Sequence, residues 1–241
     1  MHPLIARSSK EGEKGEMSNG FIYFVENGET EDPDGVSGFR EVSWLPRYRR
    51  VLARHYSRCS LEEVEELQPL AVILGGSGTP WEQFIKKDWI REFEIIKHAS
   101  VSILGICGGH QIIGMAYHEP IRELGCSPIR RLRPGEEDRN VGTHLEGYFM
   151  ERGYLPVKIL RRDPLFEGLG DTILVDEGHY CEIKELPPEF DLLASTEECR
   201  IQAIKHKQRP VYGVQFHPNK YDEEHPDGKK ILENFLKIAE R

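Results

Sequence analysis

The sequence lacks the patterns that mark a membrane protein, a secreted protein or a nucleic-acid binder. No apolar run approaches the roughly eighteen residues of a membrane helix, and residues 1–20 lack the apolar core of a signal peptide. Lys and Arg number 32 against 41 Asp and Glu, a formal net charge of −9, whereas phosphate binding depends on clustered positive charge. We therefore expect a cytoplasmic protein with no membrane partner and no nucleic-acid partner.

Paired cysteines and closely spaced histidines are also missing. The five cysteines include no CxxC pair, and the ten histidines include no HxH or HxxxH spacing. Disulfide frameworks and structural zinc sites are built from such spacings. The sequence therefore predicts reduced thiols, no metal and no cofactor.

What remains is the composition of one globular domain preceded by an arm. Residues 1–19 are polar and lack an apolar period, which is typical of a flexible arm. Residues 20–241 provide enough apolar sequence for a substantial core, at 38% hydrophobic residues over the whole chain. We expect a single domain over residues 20–241.

The order of the predicted elements favours an α/β sheet. Apolar runs predict strands at 21–25, 70–76 and 101–106. Helices are predicted from Ser43 to Tyr56, at 61–67, in the segment that joins the second and third strands, and from 227 to the end. From residue 129 onward short strands are predicted, separated by turns such as PGEEDRN and ERGY: IRRL (129–132), 157–160, 172–180, 192–196, 201–206 and 211–218.

The stretch VSILGICGGHQ, residues 101–111, ends a buried strand in a cysteine flanked by glycines. Glycine at 105 and 109 permits a sharp turn from strand to helix. A thiol at the start of a helix is favoured in its reactive thiolate form. Cys107 is therefore a candidate nucleophile, although an ordinary buried cysteine in a βα turn fits these residues equally well. Because ligands collect at the carboxyl ends of parallel strands, the GGSG loop at 75–78 and Cys107 are expected to share one crevice.

The strand VYGVQFHP, residues 211–218, presents His217 at its end. A nearby imidazole can remove the thiol proton and later return it to a leaving amine. On the pattern alone, a structural histidine that ends the strand is the better interpretation.

Together these segments resemble a known family. GICGGHQ at 105–111 is similar to the G-x-C-x-G-x-Q nucleophile box of the class I glutamine amidotransferases, and GVQFHP at 213–218 is similar to their histidine box. The resemblance extends from Phe21 to Ala239. It implies a flavodoxin-like three-layer fold, an open and mostly parallel sheet with helices on both faces. It also implies hydrolysis of a γ-glutamyl amide through a thioester.

The resemblance assigns roles residue by residue. Cys107 would be the nucleophile and His217 the general base and acid, while the backbone N–H groups of Gly76 and Gly108 would form the oxyanion hole. Three further residues resemble, by position, those with which the family binds the α-amino and α-carboxyl groups of glutamine: Gln111, His179 and Tyr180.

The chain departs from the family at Asn219, where the histidine box usually has a glutamate that orients the base. An amide oxygen can fix the imidazole tautomer but stabilises the imidazolium less. A carboxylate from Asp222, Glu223 or Glu224 is an alternative third member. Three hypotheses follow: a glutaminase that supplies ammonia to a separate synthetase chain, or a stand-alone γ-glutamyl peptidase or hydrolase, or a non-catalytic module on the same scaffold.

Overall fold

The computed structural model describes residues 20–28, 50–78, 81, 89–118 and 126–241. The predicted N-terminal arm, residues 1–19, lies outside the described residues, as does the first part of the predicted helix, 43–49. None of the helices in the described parts of the chain has the length and apolarity needed to cross a membrane.

A nine-stranded sheet forms the centre of the described structure, with a two-stranded sheet beside it. The spatial order of the nine strands is β2-β1-β3-β4-β11-β10-β9-β6-β7, and β5 pairs with β8. The strands are β1 Phe21–Glu26, β2 Arg50–His55, β3 Ala71–Leu74, β4 Ser102–Ile106, β5 Cys126–Pro128, β6 Glu151–Ile159, β7 Thr172–His179, β8 Cys181–Ile183, β9 Phe190–Ser195, β10 Ala203–His206 and β11 Val211–Val214.

The strand directions confirm the expected mostly parallel sheet. The four pairings from β2 to β11 are parallel, and the four from β11 to β7 are antiparallel. Two antiparallel steps restore the original direction, so only β10 and β6 oppose the other seven strands. The carboxyl ends of β3, β4, β11 and β7 therefore meet at the same edge.

Helices cover both faces of this sheet, as the α/β prediction requires. They are α1 Leu61–Leu67, α2 Trp89–His98, α3 Gly108–Ala116 and α4 Asp227–Ala239, together with a 3-10 turn, Pro164–Phe166. Alternate β1 residues enter different cores: Tyr23 packs with α1, α2 and α3, whereas Phe24 packs with α4. This alternation is what a strand buried on both faces requires.

The helix predicted from Ser43 to Tyr56 is wrong over its described part, because residues 50–55 form strand β2. This strand pairs in parallel with β1 at the edge of the sheet. Val51 and Ala53 pack toward the core on one face and Leu52 toward the core on the other. The side chains therefore alternate between the two faces, as they do in a strand. The alternation is not visible in the sequence, because the three adjacent residues are all apolar.

Two smaller predictions between 129 and 154 are also wrong. The segment ERGY is not a turn, because Glu151 to Tyr154 begin the long strand β6, with Gly153 at φ +81°. IRRL at 129–132 contributes only one isolated bridge, between Arg131 and Tyr148. The segment ERGY combines two charged residues with a glycine, a composition that is depleted in strands and common in turns.

Close packing of α3 against β3 and β4 depends on glycines. A Cβ at Gly105 would lie 2.5 Å from the carbonyl oxygen of Gly109, and a Cβ at Gly109 would overlap the carbonyl oxygen of Leu74. The helix can therefore approach the strand ends only where side chains are absent.

We expect Gly109→Ala to lower the free energy of unfolding by about 3 kcal/mol, since the methyl group must displace backbone. Denaturant unfolding measures this change. Gly78→Ala is the matched control, because a Cβ at Gly78 meets no atom within 4 Å. Equal stability of the two variants would contradict the close-packing explanation.

Candidate active site

Cys107 occupies a sharp turn between β4 and α3. Its φ of 51° and ψ of −104° are unusual for a residue with a side chain, and such a conformation persists only where the surroundings enforce it. The backbone N–H of Cys107 donates to the carbonyl of Val214 at 2.8 Å, and its carbonyl accepts from the N–H of Gln111 at 3.1 Å. The predicted strand, turn and helix are therefore confirmed, with Cys107 buried at the start of the helix.

The glycine-rich loop after β3 lies directly against this turn. The N–H of Gly75 donates to Val25 at 2.9 Å, and Asn27 Nδ2 donates to the carbonyl of Gly75 at 3.1 Å, so the start of the loop is fixed. A Cβ at Gly108 would lie 2.7 Å from the nitrogen of Ser77. The structure thus brings the two glycine segments together, as the sequence predicts.

His217 reaches the same point from the neighbouring strand. A Cβ at Gly76 would lie 3.6 Å from Cys107 Cβ and 3.6 Å from His217 Cε1. Gly76 therefore leaves open the space between the thiol and the imidazole. The backbone N–H of His217 donates to the carbonyl of Asp176 in β7 at 2.8 Å, which holds the histidine against that strand.

The imidazole of His217 is neutral because its surroundings oppose a positive charge. Burial and, to a smaller extent, the positive charges of Lys220 and His179 lower its pKa to about 3, although the side chain of Asn219 partly opposes this shift. A neutral imidazole can accept a proton. His217 therefore has the protonation state that a general base needs.

Asn219 and Lys220 occupy the region where a third member of a triad is expected. The oxygen Oδ1 of Asn219 is buried and makes no hydrogen bond of good geometry with the described residues. Lys220 Nζ pairs with Asp176 Oδ2 at 3.2 Å. A Cβ at Gly178 would lie 3.5 Å from His217 Nε2 and 3.8 Å from Lys220 Nζ, so an ammonium group borders the base.

The alternative carboxylates do not occupy that region. Asp222 Oδ1 accepts from the N–H of His225 and lies 2.8 Å from its Nδ1, while Oδ2 accepts from Tyr154 at 3.1 Å. Glu223 and Glu224 are exposed. The structure therefore places Asn219, and none of these carboxylates, beside His217.

Comparison with known proteins agrees with this geometry. The pattern of the family described as glutamine amidotransferase class-I matches residues 49–239. The chain belongs to the class-I glutamine amidotransferase family. Both sequence boxes and the α/β architecture that positions Cys107 and His217 lie within the matched region.

Relatives of this amidotransferase include glutamine-hydrolyzing subunits of GMP synthase. The chain is 35% identical over 182 residues to the subunit of this kind from Methanosphaera stadtmanae, covering 75% of this chain and 81% of that protein. It is also 35% identical over 179 residues to the corresponding subunit from Pyrococcus abyssi, covering 74% and 80%.

Solved structures show the same fold. A protein from Thermoplasma acidophilum, described as a GMP synthase subunit, superposes with a TM-score of 0.65 at 26% identity, covering 93% of this chain and 96% of that one. A glutamine amidotransferase from Thermotoga maritima gives a TM-score of 0.54 at 20% identity, covering 93% and 92%. At that identity the second likeness concerns the fold alone.

Two of the three residues predicted to bind glutamine have their polar groups engaged within the amidotransferase. Gln111 is buried, and both atoms of its amide hydrogen-bond to protein groups. His179 is also buried, with Nδ1 2.8 Å from the carbonyl of Cys181 and Nε2 between two carboxylates. Tyr180 is partly exposed, and its ring contacts His144 and Tyr148.

A buried ionic cluster surrounds His179. Its Nε2 lies 3.0 Å from Glu151 Oε2 and 3.2 Å from Glu177 Oε2. Burial alone would lower the pKa of His179, but the two carboxylates raise it to about 10, so the ring is an imidazolium. Candidate ligand atoms of Glu151, His179 and Cys199 all lie within 4.8 Å of one another. Glu151 and His179 already pair with each other and with further groups of the protein. The absence of a metal stays a prediction.

The other four cysteines lack the surroundings that would make them nucleophiles like Cys107. All five cysteines lie in described parts of the chain, are buried and form no disulfide. Burial raises the pKa of the Cys59, Cys126 and Cys199 thiols well above the usual value. These thiols are therefore protonated and unreactive at neutral pH.

Sequence reasoning missed three groups at the site: Asp176 and Lys220, which flank the base, and Gln215, which contacts the nucleophile. Gln215 Nε2 lies 3.8 Å from Cys107 Sγ. Its position two residues before His217 in the predicted strand 211–218 was a usable signal, since alternate residues of an extended strand lie on one face, although β11 itself ends at Val214.

We expect the pKa of His217, measured by NMR of the labelled ring, to be far below 6.5. Lys220→Met should raise this pKa, because removing a neighbouring positive charge stabilises the imidazolium. Lys229→Met, a change at an exposed lysine, is the matched control and should leave the value unchanged. A wild-type pKa near 6.5 would show that the site is more hydrated than this structure indicates.

Proposed function

We propose that this protein hydrolyses the side-chain amide of glutamine through a thioester on Cys107. The observation that carries the proposal is the convergence of Cys107 and a neutral His217 on the two sides of Gly76. Family membership supports the same chemistry. A thiol and a neutral imidazole at one point are what nucleophilic attack on an amide requires.

His217 accepts the proton of Cys107 as the sulfur attacks the amide carbon of glutamine. The carbon–nitrogen bond of the tetrahedral intermediate then breaks, and His217 returns the proton so that ammonia leaves. A thioester between Cys107 and the glutamyl group remains. Water, deprotonated by His217, attacks the thioester, and glutamate leaves as Cys107 recovers its proton.

Backbone N–H groups at Gly76 and Gly108 stabilise the oxyanion of each tetrahedral intermediate. Support comes from the contact between Gly108 and the Gly76–Ser77 peptide and from the position of Gly108 at the start of α3. The positive end of a helix favours negative charge. Losing one such donor typically costs about 10²–10³ in rate.

The ammonia is proposed to pass to a separate synthetase chain. Relatives of about the same extent are named as glutamine-hydrolyzing subunits of GMP synthase, which supports a partner that aminates a nucleotide to form GMP. We place this assembly in the cytoplasm, in keeping with the composition. Hydrolysis by the isolated chain should be weak and should rise when the partner is added.

The replacement of the usual glutamate by Asn219 is the observation that favours the two other candidate functions, a stand-alone γ-glutamyl hydrolase and a non-catalytic module. Without a carboxylate at this position, the imidazolium formed during attack is less stabilised. A γ-glutamyl compound cleaved better than glutamine would identify a peptidase or hydrolase. Failure of Cys107 to form any γ-glutamyl thioester, with or without a partner, would identify a non-catalytic module.

We expect a diazoketone analogue of glutamine to label Cys107 and no other cysteine, and Cys107→Ser to abolish both labelling and turnover. Mass mapping of the labelled protein and release of glutamate measure the two outcomes. Cys59→Ser is the matched control, since that thiol is buried elsewhere in the core. Full turnover by Cys107→Ser would contradict the proposed mechanism.

We expect Asn219→Glu to raise kcat by about tenfold, because a carboxylate beside His217 stabilises the imidazolium formed during attack. Asn219→Gln keeps an amide of the same length as glutamate and is the control for size. Steady-state release of glutamate measures both variants. An unchanged kcat in Asn219→Glu would show that proton transfer to His217 does not limit the reaction.

A further inference from the structure

A chain of side-chain amides leads from the protein interior to the nucleophile. Trp81 Nε1 lies 2.9 Å from Gln111 Oε1, Gln111 Nε2 lies 3.1 Å from Gln215 Oε1, and Gln215 Nε2 lies 3.8 Å from Cys107 Sγ. Gln111 and Gln215 are 4% and 0% exposed, so water does not compete for these groups.

The direction of hydrogen bonding along this chain is fixed at its inner end. An indole nitrogen only donates and a backbone carbonyl only accepts. Trp81 therefore requires the oxygen of Gln111 to face it. The carbonyl of Cys181, 2.7 Å from Gln111 Nε2, independently requires the amide nitrogen on the other side.

The orientation of Gln111 then determines that of Gln215. The nitrogen of Gln111 donates, so Gln215 must offer its oxygen, and its own nitrogen is left facing the sulfur. Without this sequence of partners the two ends of the Gln215 amide could exchange. The donor toward Cys107 is thus set by Trp81 and Cys181.

We propose that Gln215 is a catalytic residue that donates a hydrogen bond to Cys107 Sγ and stabilises the thiolate, with Gln111 and Trp81 as positioning residues. Hydrogen bonds to charged groups are stronger than those between neutral groups. Because the amide nitrogen cannot accept, the thiol proton cannot go to Gln215 and is left to His217. The same strand end therefore supplies both the group that stabilises the thiolate and the base.

Backbone contacts hold Gln215 in this position. In the parallel pairing of β4 with β11, Val214 lies opposite Ile106, and the N–H of Cys107 donates to the carbonyl of Val214 at 2.8 Å, so Gln215 leaves the strand directly beside Cys107. The N–H of Gln215 donates to the carbonyl of Gln202 at 2.8 Å. The side chain therefore approaches the sulfur from a fixed backbone.

The test measures the rate at which iodoacetamide alkylates Cys107 in the full chain between pH 5 and pH 10, by mass mapping of the peptide. Gln215→Met keeps the length of the side chain and removes the donor. We expect its rate at pH 7 to fall about tenfold, equivalent to a rise of one unit in the midpoint of thiolate formation. Among the described residues, the titratable groups His217 and Cys126 lie near Cys107, and the substitution leaves both in place.

Gln208→Met, the same exchange at an exposed residue, should keep the wild-type profile. Trp81→Phe should move the profile in the same direction by a smaller amount, because Gln111 loses its orienting donor. A wild-type profile in folded Gln215→Met overturns the proposal. Should that variant fail to fold by thermal melting, a wild-type profile in Trp81→Phe overturns it instead.

The role of Gln215 rests on the proposed function only for the identity of the nucleophile. Alkylation requires neither glutamine nor turnover, so the two proposals can fail separately. A shifted profile in a protein that hydrolyses no γ-glutamyl compound supports Gln215 and refutes the hydrolase. An unchanged profile in an active enzyme refutes the role of Gln215 and supports the hydrolase.

Discussion

The parallel pairing of β4 with β11 is the constraint on which the site depends. Its register places Gly105 opposite Gly213 and Ile106 opposite Val214. The strands therefore end side by side, one in Cys107 and the other in the segment that carries His217. Gly105 and Gly213 also leave room for α3, since a Cβ at either position would press on Gly109 or His110. Closer packing of the helix brings its positive end to the nucleophile.

The charges near the base follow from the direction of β7. Because four antiparallel pairings, an even number, separate β7 from β11, the two strands run in the same direction, and the carboxyl end of β7 reaches the same edge and places Asp176 against His217. Asp176 in turn pairs with Lys220, while the imidazolium of His179 lies deeper among Glu151 and Glu177. Two positive groups thus border a base that has the amide of Asn219, and not the family's usual glutamate, two residues after it.

Strand ends and glycines are local signals, so sequence patterns could mark the candidate residues of the site, whereas the roles of Cys107 and His217 come from the resemblance of two sequence boxes to the family. Cys107, His217 and the loop at 75–78 follow from strands that end at fixed residues, and parallel strands bring such ends together. The error at 50–55 has a different origin: an edge strand is half-buried, and its pairing with β1 is a long-range contact that no local period reports. The partners of Gln111 and His179 were unpredictable for the same reason, since Trp81 and Glu151 are distant in the chain.

The replacement of the family's usual glutamate by Asn219 weighs less for a thiol than it would for an alcohol. A hydroxyl nucleophile needs a base strong enough to deprotonate it during attack, whereas a cysteine thiol is already a few per cent thiolate at neutral pH. Any hydrogen-bond donor fixed against the sulfur increases that fraction. The amide of Gln215 is oriented by that of Gln111, whose partners, Trp81 and the carbonyl of Cys181, cannot reverse their roles. Gln215 then stabilises the negative charge on the sulfur, which lessens the need for a carboxylate to stabilise the positive charge on His217. In this arrangement Asn219 only has to keep the ring of His217 in place, which an amide can do.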